Sequence, residues 1–243
     1  MGTIKTKGII LSEHNMGDSD KMLTILTPGY GKIGCAAKGA RRQKSLLLAG
    51  TQFLCFGEYI LYKGSSEIYR MNSCETIEVF YKIRTDLEKL EYASFFTKMI
   101  SDVTTENQNT YKILQLLLNT LYVVSEKEKD LILVTAIFKL RLLELLGFLP
   151  KIKQCSNCNQ EQNLEYFSLK HNGFECSTCG KQDKSAIHMQ EATKIAIQYI
   201  LLSPPQKLFS FEVSNEVIKE LDMIAKLYTN EKLEKEYKIQ KLF

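Results

Sequence analysis

The sequence has few of the side chains on which catalysis usually depends, and it lacks the motifs that arrange them. Its 243 residues include three histidines, none of which belongs to an HExxH or H-x-E pattern of a catalytic metal site. A G-x-S-x-G nucleophile motif and a G-x-x-x-x-G-K-[ST] phosphate loop are also absent. We therefore expect a binding protein and not an enzyme, with a metal-dependent hydrolase as the catalytic alternative.

A long uninterrupted hydrophobic stretch is missing as well. The longest apolar run, residues 131–149, is broken by Lys139, Arg141 and Glu144, so it does not fit a membrane span. The N-terminal residues MGTIKTKGIILSEHN contain only a short apolar run and do not fit a signal peptide. We expect a cytoplasmic protein that does not associate with membranes.

Acidic residues are absent from one part of an otherwise nearly balanced chain. The formal net charge is +4, yet no Asp or Glu occurs between Lys21 and Gly57. The cations of this stretch are Lys21, Lys32, Lys38, Arg41, Arg42 and Lys44. Such a stretch favours a surface that binds a polyanion, and an ordinary solvated loop is the alternative. Tyr30, at a turn, is the aromatic residue that we most expect to be exposed for base stacking.

Strand-like segments fill the N-terminal third of the chain. Five of them occur between residues 3 and 77, separated by turn signals and by the basic loop 39–50, with no helical period between them. An open sheet of this kind would leave apolar edges uncovered, so the pattern predicts a small closed barrel over residues 1–77.

Helical periodicity replaces the strand pattern from residue 78 onward. It predicts one amphipathic helix over 79–103, a second before residue 127, and a third that begins near Asp130 and ends at Gly147. The third is apolar on nearly all sides, which predicts a central position. A fourth helix is predicted from His188 or Met189, and a fifth after Ser214. The charged tail, which includes Leu242 and Phe243, is either a docked helix or a frayed end.

Two Cys-x-x-Cys pairs interrupt these helices. They are Cys155 with Cys158 and Cys176 with Cys179, and 17 residues separate the pairs. This spacing predicts a structural zinc site at about residues 151–182, because four thiolates from two tight turns can close a tetrahedral shell. The alternative is a set of buried or disulfide-bonded cysteines.

The residues around the pairs carry turn signals. Asn159 and Gly180, which follow the second cysteine of each pair, are expected to adopt left-handed backbone conformations. Asn172-Gly173 predicts a two-residue hairpin turn between the pairs, and His171 beside it is interpreted as a solvated turn residue.

Two blocks of the sequence resemble the RecO family of bacterial recombination mediators. One is GIILSEHNMGDSDKMLTILTPGYGKIGCAAKGARRQKS, and the other is LRLLELLGFLPKIKQCSNC with YFSLKHNGFECSTC. The resemblance covers about residues 1–180 and includes the order of barrel, helical domain and inserted four-cysteine finger. It implies an α+β protein with a five-stranded OB-fold barrel, followed by an all-α domain (78–243) that carries the zinc finger.

The resemblance also implies a function in the bacterial cytoplasm, at the nucleoid. Family members bind single- and double-stranded DNA, anneal complementary strands without ATP, and act with RecR to load RecA onto DNA coated by single-stranded DNA-binding protein. The motif AKGARR places the DNA candidates in the barrel. The candidate DNA-binding residues are Tyr30, Lys32, Lys38, Arg41, Arg42 and Lys44. An RNA-binding or translation-associated protein is the alternative, since barrels and zinc ribbons also occur there.

A mediator of this kind must recognise the C-terminal tail of single-stranded DNA-binding protein, which is acidic and ends in apolar residues. Such a peptide needs an apolar groove with a cation at its rim. Lys139 and Arg141 lie in the apolar third helix, and a charge there must be paired or emerge at a groove. We expect that at least one of them binds the terminal carboxylate, with pairing to Glu144 or to a carboxylate of another helix as the alternative.

Overall fold

The structure is a computed structural model that describes residues 2–240, and its N-terminal part is a closed barrel. The five strands are β1 (Gly2–Met16), β2 (Asp20–Thr27), β3 (Gly31–Ala37), β4 (Phe56–Lys63) and β5 (Tyr69–Glu78). They follow the order β1-β2-β3-β5-β4, and β1 closes the ring by pairing with both β2 and β4. The contact between β3 and β5 is parallel, and the other pairings are antiparallel. This OB-like ring confirms the predicted barrel.

The barrel interior is filled by the alternate side chains of its strands. Tyr59 is fully buried there, and its hydroxyl donates to the carbonyls of Gly50 (3.2 Å) and Cys55 (3.0 Å). The strand-like run that starts at Gln52 predicts the beginning of the fourth strand there, but the strand begins at Phe56. Residues 52–55 form a turn instead, because Leu54 takes a φ of 65° and donates its N–H to the Ile10 carbonyl.

Three helices follow the barrel, one more than the pattern over 79–126 predicts. They are α1 (Tyr81–Arg84), α2 (Leu87–Val103) and α3 (Tyr111–Glu126). The prediction of one helix over 79–103 is wrong because Asp86 has an extended backbone and its side chain accepts the N–H of Lys89, which starts α2 afresh. Leu87, which the apolar spacing of the segment 79–103 predicts on the buried face of a single helix, is consequently 47% exposed.

The remaining long helices are α4 (Leu131–Leu145), α6 (Glu191–Leu202) and α7 (Asn215–Leu233). Helix α4 begins where predicted, with the Asp130 carboxylate accepting the N–H groups of Ile132 and Leu133. It packs against α6 and α7, and its residues 133–140 are all buried, which confirms its central position. Its end is followed by Gly147, whose φ of 95° is the expected left-handed conformation.

The C-terminal part differs from the prediction at His188 and agrees with it at Ser214. His188 does not start a helix but ends a short strand, β8 (Ala186–His188), that pairs with a strand of the cysteine-bearing insertion. Ser214 caps α7 as predicted, through a hydrogen bond from the N–H of Val217. After α7 the chain is irregular rather than helical up to residue 240, with Tyr237 buried, and Leu242 and Phe243 lie outside the described residues.

The chain divides into two compact units. One contains the barrel and the three helices up to Glu126, to which residues 239 and 240 are added. The other is Lys127–Lys238. The domain boundary predicted after residue 77 stays a prediction. Among residues 2–240, no helix combines the length and apolar character that a membrane crossing requires.

Candidate metal centre and nucleic-acid interface

The four predicted cysteines converge on one point in the second unit. Their Sγ atoms all lie within 4.8 Å of one another, and those of Cys158 and Cys176 are 3.7 Å apart. A disulfide would require about 2.05 Å, and all four thiols are free. Four sulfurs about 2.3 Å from a central zinc would be about 3.8 Å apart, so this donor set fits a tetrahedral metal ion.

The first cysteine pair is shaped by a tight turn. The Asn159 N–H donates to the Cys155 carbonyl over 3.0 Å, and Asn159 takes the expected left-handed φ of 65°. Its side-chain oxygen accepts from Lys151 (2.6 Å) and Gln154 (3.1 Å), which fixes the turn from outside. These contacts hold the two cysteines on the same side of the chain.

The second pair is shaped differently from the prediction. Gly180 is the last residue of a one-turn helix, α5 (Ser177–Gly180), and does not take a left-handed conformation. A Cβ atom at this position would lie 2.3 Å from the ring of Tyr166. Glycine is therefore needed for close packing and not for backbone conformation.

A small sheet brings the two cysteine pairs together. It consists of β7 (Gly173–Cys176), β6 (Leu164–Ser168) and β8, in that order. Ser156, between the first two cysteines, donates its N–H (2.7 Å) and its hydroxyl (2.9 Å) to the carbonyl of Phe174. This contact ties the first turn to the strand that ends at Cys176. Sequence reasoning missed the role of Ser156, and its place inside the Cys-x-x-Cys motif was the available signal.

The predicted two-residue turn is wrong, because residues 169–172 connect β6 to β7 as a longer loop. Asn172 has a left-handed φ of 55°. Gly173 instead opens β7, where a Cβ atom would lie 2.3 Å from the Lys151 carbonyl oxygen. Glycine is therefore needed at position 173 because the backbone of Lys151 packs closely against it, and not because of a tight turn.

The electrostatics of the cluster favour a cation. Burial raises the pKa of the Cys155 thiol, but backbone N–H groups that point at its sulfur outweigh this effect and lower the pKa to about 6. Burial and the neighbouring cysteines raise the pKa of Cys179 to about 12. The deprotonated form of Cys155 is thus favoured, and the deprotonated form of Cys179 is disfavoured. A bound cation would favour deprotonation of Cys179 as well, so metal binding would release protons.

His171 lies in the turn as the sequence indicates, but its side chain is only partly exposed and is engaged by carboxylates. Its Nδ1 lies 2.6 Å from Oε1 of Glu175, which is fully buried, and 3.8 Å from Oδ2 of Asp183. Asp183 also accepts from the hydroxyls of Ser168 and Ser185. One imidazole and two carboxylates therefore form a polar network beside the sheet. Burial raises the pKa of Asp183, but the hydrogen bonds from the two serines outweigh this effect and lower it.

The first unit presents most of the predicted DNA candidates together. We call residues 38–54, between β3 and β4, the basic turn segment. Its cations are Lys38, Arg41, Arg42 and Lys44, and all four are exposed. The carboxylate of Asp20 anchors the segment by accepting the N–H of Gly39 over 2.8 Å, an interaction that lowers the pKa of Asp20. Sequence reasoning missed this anchor, although Asp20 directly precedes the acid-free stretch.

Two predicted DNA-binding residues stand apart from this segment. The Lys32 side chain is only partly exposed, and its ammonium donates to the carbonyl of Ser101. Tyr30 is half-buried rather than exposed, because its ring packs against the barrel core. Its backbone carbonyl accepts the N–H of Asn107, so the turn between β2 and β3 is hydrogen-bonded to the segment that follows α2.

The two cations of α4 are engaged inside the second unit. Lys139 is 5% exposed and lies 3.6 Å from the Asp222 carboxylate of α7. Burial lowers the pKa of Lys139, and Asp222 partly opposes this effect. Arg141 donates to the carbonyls of Leu201 (2.7 Å) and Ser203 (3.2 Å), and lies 3.5 Å from Glu144. The contacts with Asp222 and Glu144 are the pairings that the sequence left open as the alternative to peptide binding, whereas the contacts of Arg141 with backbone carbonyls were not predicted.

These features define a class of protein: an OB-like barrel with a basic, acid-free turn segment, joined to helices that carry a module in which four cysteines converge. Models of two domain families match the chain, Recombination protein O N terminal over residues 1–80 and Recombination protein O C terminal over residues 84–241. The chain therefore belongs to the recombination protein O (RecO) family.

Full-length relatives support the same conclusion. A protein of Acetivibrio thermocellus named DNA repair protein RecO is 43% identical over 238 residues, which are 98% of this chain and 94% of the relative. Proteins with the same name from Alkaliphilus metalliredigens and Thermoanaerobacter sp. are 34% and 33% identical, over 93% and 98% of this chain and 92% and 96% of their own lengths. Family membership supports a role in DNA repair and recombination.

Proposed function

We propose that this protein is a DNA-binding recombination mediator in DNA repair. It binds single- and double-stranded DNA through the barrel and anneals complementary strands, without turning over a substrate of its own. The observation that carries the proposal is the basic turn segment, which places four exposed cations and no carboxylate on an OB-like barrel. Cations of this kind bind phosphates whatever the base sequence, as annealing of arbitrary strands requires.

The four-cysteine cluster binds one structural zinc ion. Four sulfurs complete a tetrahedral shell and leave no open position for a reacting water, which separates this site from a catalytic zinc. The ion stabilises the turns and the small sheet, since its binding links the two cysteine pairs and is coupled to the folding of the insertion. The zinc ion in this proposal has a structural role and takes no part in DNA annealing.

The partners follow from the same proposal and from the family. With RecR, the protein helps to load RecA onto DNA that is coated by single-stranded DNA-binding protein, in the bacterial cytoplasm and at the nucleoid. It recognises the C-terminal tail of the coating protein through the helices of the second unit. Lys139 and Arg141 remain candidates for the terminal carboxylate, although a peptide would have to compete with Asp222, Glu144 and the carbonyls after α6.

Titration of a fluorescent single strand at several salt concentrations tests the central proposal. We expect the logarithm of the affinity to fall linearly with the logarithm of the salt concentration, because bound phosphates release counterions. Annealing of two complementary strands should accelerate without ATP. A clear preference for RNA of the same length, with no acceleration of DNA annealing, would favour a translation-associated protein instead.

Calorimetry with a synthetic tail peptide tests the partnership separately. Wild type should bind the peptide, and Lys139→Ala and Arg141→Ala proteins that stay folded show whether either cation takes part. Unchanged affinity in both variants would remove these residues from the site while leaving the partnership in place. A peptide that does not bind wild type would contradict the partnership.

A further inference from the structure

The basic turn segment exposes an apolar side chain that contributes nothing to the fold described above. Leu46 is 94% exposed, the highest value among the large hydrophobic side chains of residues 2–240. It follows directly on the cations, since Arg41, Arg42 and Lys44 lie within five residues before it. An isolated exposed leucine is common on protein surfaces, but this one is held in place by the ordered contacts of its neighbours.

The fold fixes the outward direction of Leu46 through its neighbour. Leu47 packs against the barrel core, and its carbonyl accepts both the N–H (3.2 Å) and the hydroxyl (2.7 Å) of Thr51, which is fully buried. The N–H of Leu48 closes a turn on the Ser45 carbonyl over 3.2 Å. With Leu47 held inward by these contacts, the side chain of Leu46 is presented to solvent by an ordered turn.

Both ends of the segment are also tied to the barrel. At the start, the N–H of Arg41 donates to the Ser19 carbonyl over 2.9 Å. At the end, the N–H of Leu54 donates to Ile10 over 3.1 Å, and the ammonium of Lys21 reaches the Thr51 carbonyl over 3.3 Å. A ligand that meets Leu46 therefore meets a pre-organised surface, and little conformational entropy is lost when it binds.

The surroundings of Leu46 indicate the chemistry of its ligand. Within the basic turn segment there are four cations and no carboxylate, so the ligand is anionic. It must also offer an apolar surface beside its charges. Nucleic acid combines both, since phosphates flank bases whose faces are apolar, and aliphatic wedges that separate bases are a known mode of contact.

We infer that Leu46 is a wedge that packs between unstacked bases of a DNA strand whose phosphates contact the neighbouring cations. This inference rests on the proposed function and adds a specific contact to it. A wedge of this kind would favour single strands, in which bases separate at little cost, and would hold them unstacked and available to a complementary strand. The cations supply affinity, and Leu46 supplies the conformation of the bound strand.

The test uses full-length protein and a single-stranded oligonucleotide that contains 2-aminopurine, whose fluorescence rises when it unstacks. Wild type should raise the fluorescence on binding. In Leu46→Ser we expect a smaller rise and an affinity about tenfold lower, which corresponds to partial burial of one leucine. The slope of log affinity against log salt should stay at the wild-type value, because no charge is removed. Leu46→Met should restore both signals.

A matched control and two contrary results make the test decisive. Ile77→Ser removes another exposed aliphatic side chain of the same unit, one that lies between Glu75 and Glu78, and should change neither signal. Wild-type affinity and fluorescence in Leu46→Ser would overturn the wedge, even if Leu46→Ser weakens binding to anionic vesicles or to a protein partner. Unchanged affinity and salt slope in the double variant Arg41→Ala with Arg42→Ala would instead overturn the barrel interface itself.

Discussion

Cys158 and Cys176 come from different Cys-x-x-Cys pairs, yet their sulfur atoms lie 3.7 Å apart. They are 18 positions apart in the chain, and the hairpin of β6 and β7 carries one pair back to the other. The separation is too long for a disulfide and agrees with about 3.8 Å for an edge of a zinc–thiolate tetrahedron. The four sulfur atoms of the insertion are thus spaced as the corners of a tetrahedron that could hold a metal ion.

Removal of the metal should destabilise the second unit. We expect purified protein to contain about one equivalent of zinc and to melt at a lower temperature after chelation, because metal binding and folding of such a module are coupled. Cys158→Ser should lose the zinc. Cys74→Ser, a change at a thiol outside the cluster, should retain it. A metal-free protein whose melting temperature equals that of the zinc-loaded protein would contradict the prediction.

Loss of two arginines should flatten the salt dependence of DNA binding. The variant Arg41→Ala with Arg42→Ala removes two exposed cations, and each lost phosphate contact on a single strand lowers the slope by about 0.7. We expect weaker binding and a slope that is smaller by about 1 to 1.5. Lys98→Ala with Lys112→Ala removes the same charge from exposed positions on α2 and α3, so it is the matched control. Wild-type affinity and slope in the variant Arg41→Ala with Arg42→Ala would place the interface outside the basic turn segment.

Lys139 and Asp222 form an ion pair in which only the lysine is buried, and the two residues should respond unequally to substitution. Asp222→Ala leaves the Lys139 ammonium buried without this carboxylate and should cost about 1–3 kcal/mol, below the range for fully buried pairs because Asp222 is partly exposed. Lys139→Met removes the buried charge and should be close to neutral or stabilising. Urea unfolding measures both. A Lys139→Met protein that is the less stable of the two would show that the charge itself stabilises α4.

Two neighbouring glycines should differ in their tolerance of alanine. Gly31 has a φ of +70°, and a Cβ atom there would lie 2.1 Å from the Thr105 carbonyl oxygen. Gly31→Ala should therefore destabilise the protein by about 1–3 kcal/mol. Gly29→Ala meets no atom within 4 Å and should change the melting temperature little. A similar loss in both variants would indicate that the turn as a whole, and not the approach at Gly31, limits stability.

Two errors of sequence reasoning have different physical causes, one local and one tertiary. The pattern over 79–103 has helical period throughout, but the capping hydrogen bond of Asp86 restarts the helix and turns Leu87 outward. Gly180 was expected to need a left-handed backbone, whereas it is required by the ring of Tyr166. Local patterns report periodicity and conformational preference, and they do not report which side chain arrives from elsewhere.

The sequence by itself determined the five strands, the central helix α4 and the identity of the four cysteines that cluster. These features depend on contacts between residues close in the chain: alternation along a strand, a cap at Asp130, and a turn of two residues between cysteines. Only the tertiary structure decided the fate of Lys139, Arg141 and His171, whose partners lie on other elements or across a loop. It likewise decided that Leu47 is held inward and Leu46 is not, because that choice depends on the packing of the whole barrel.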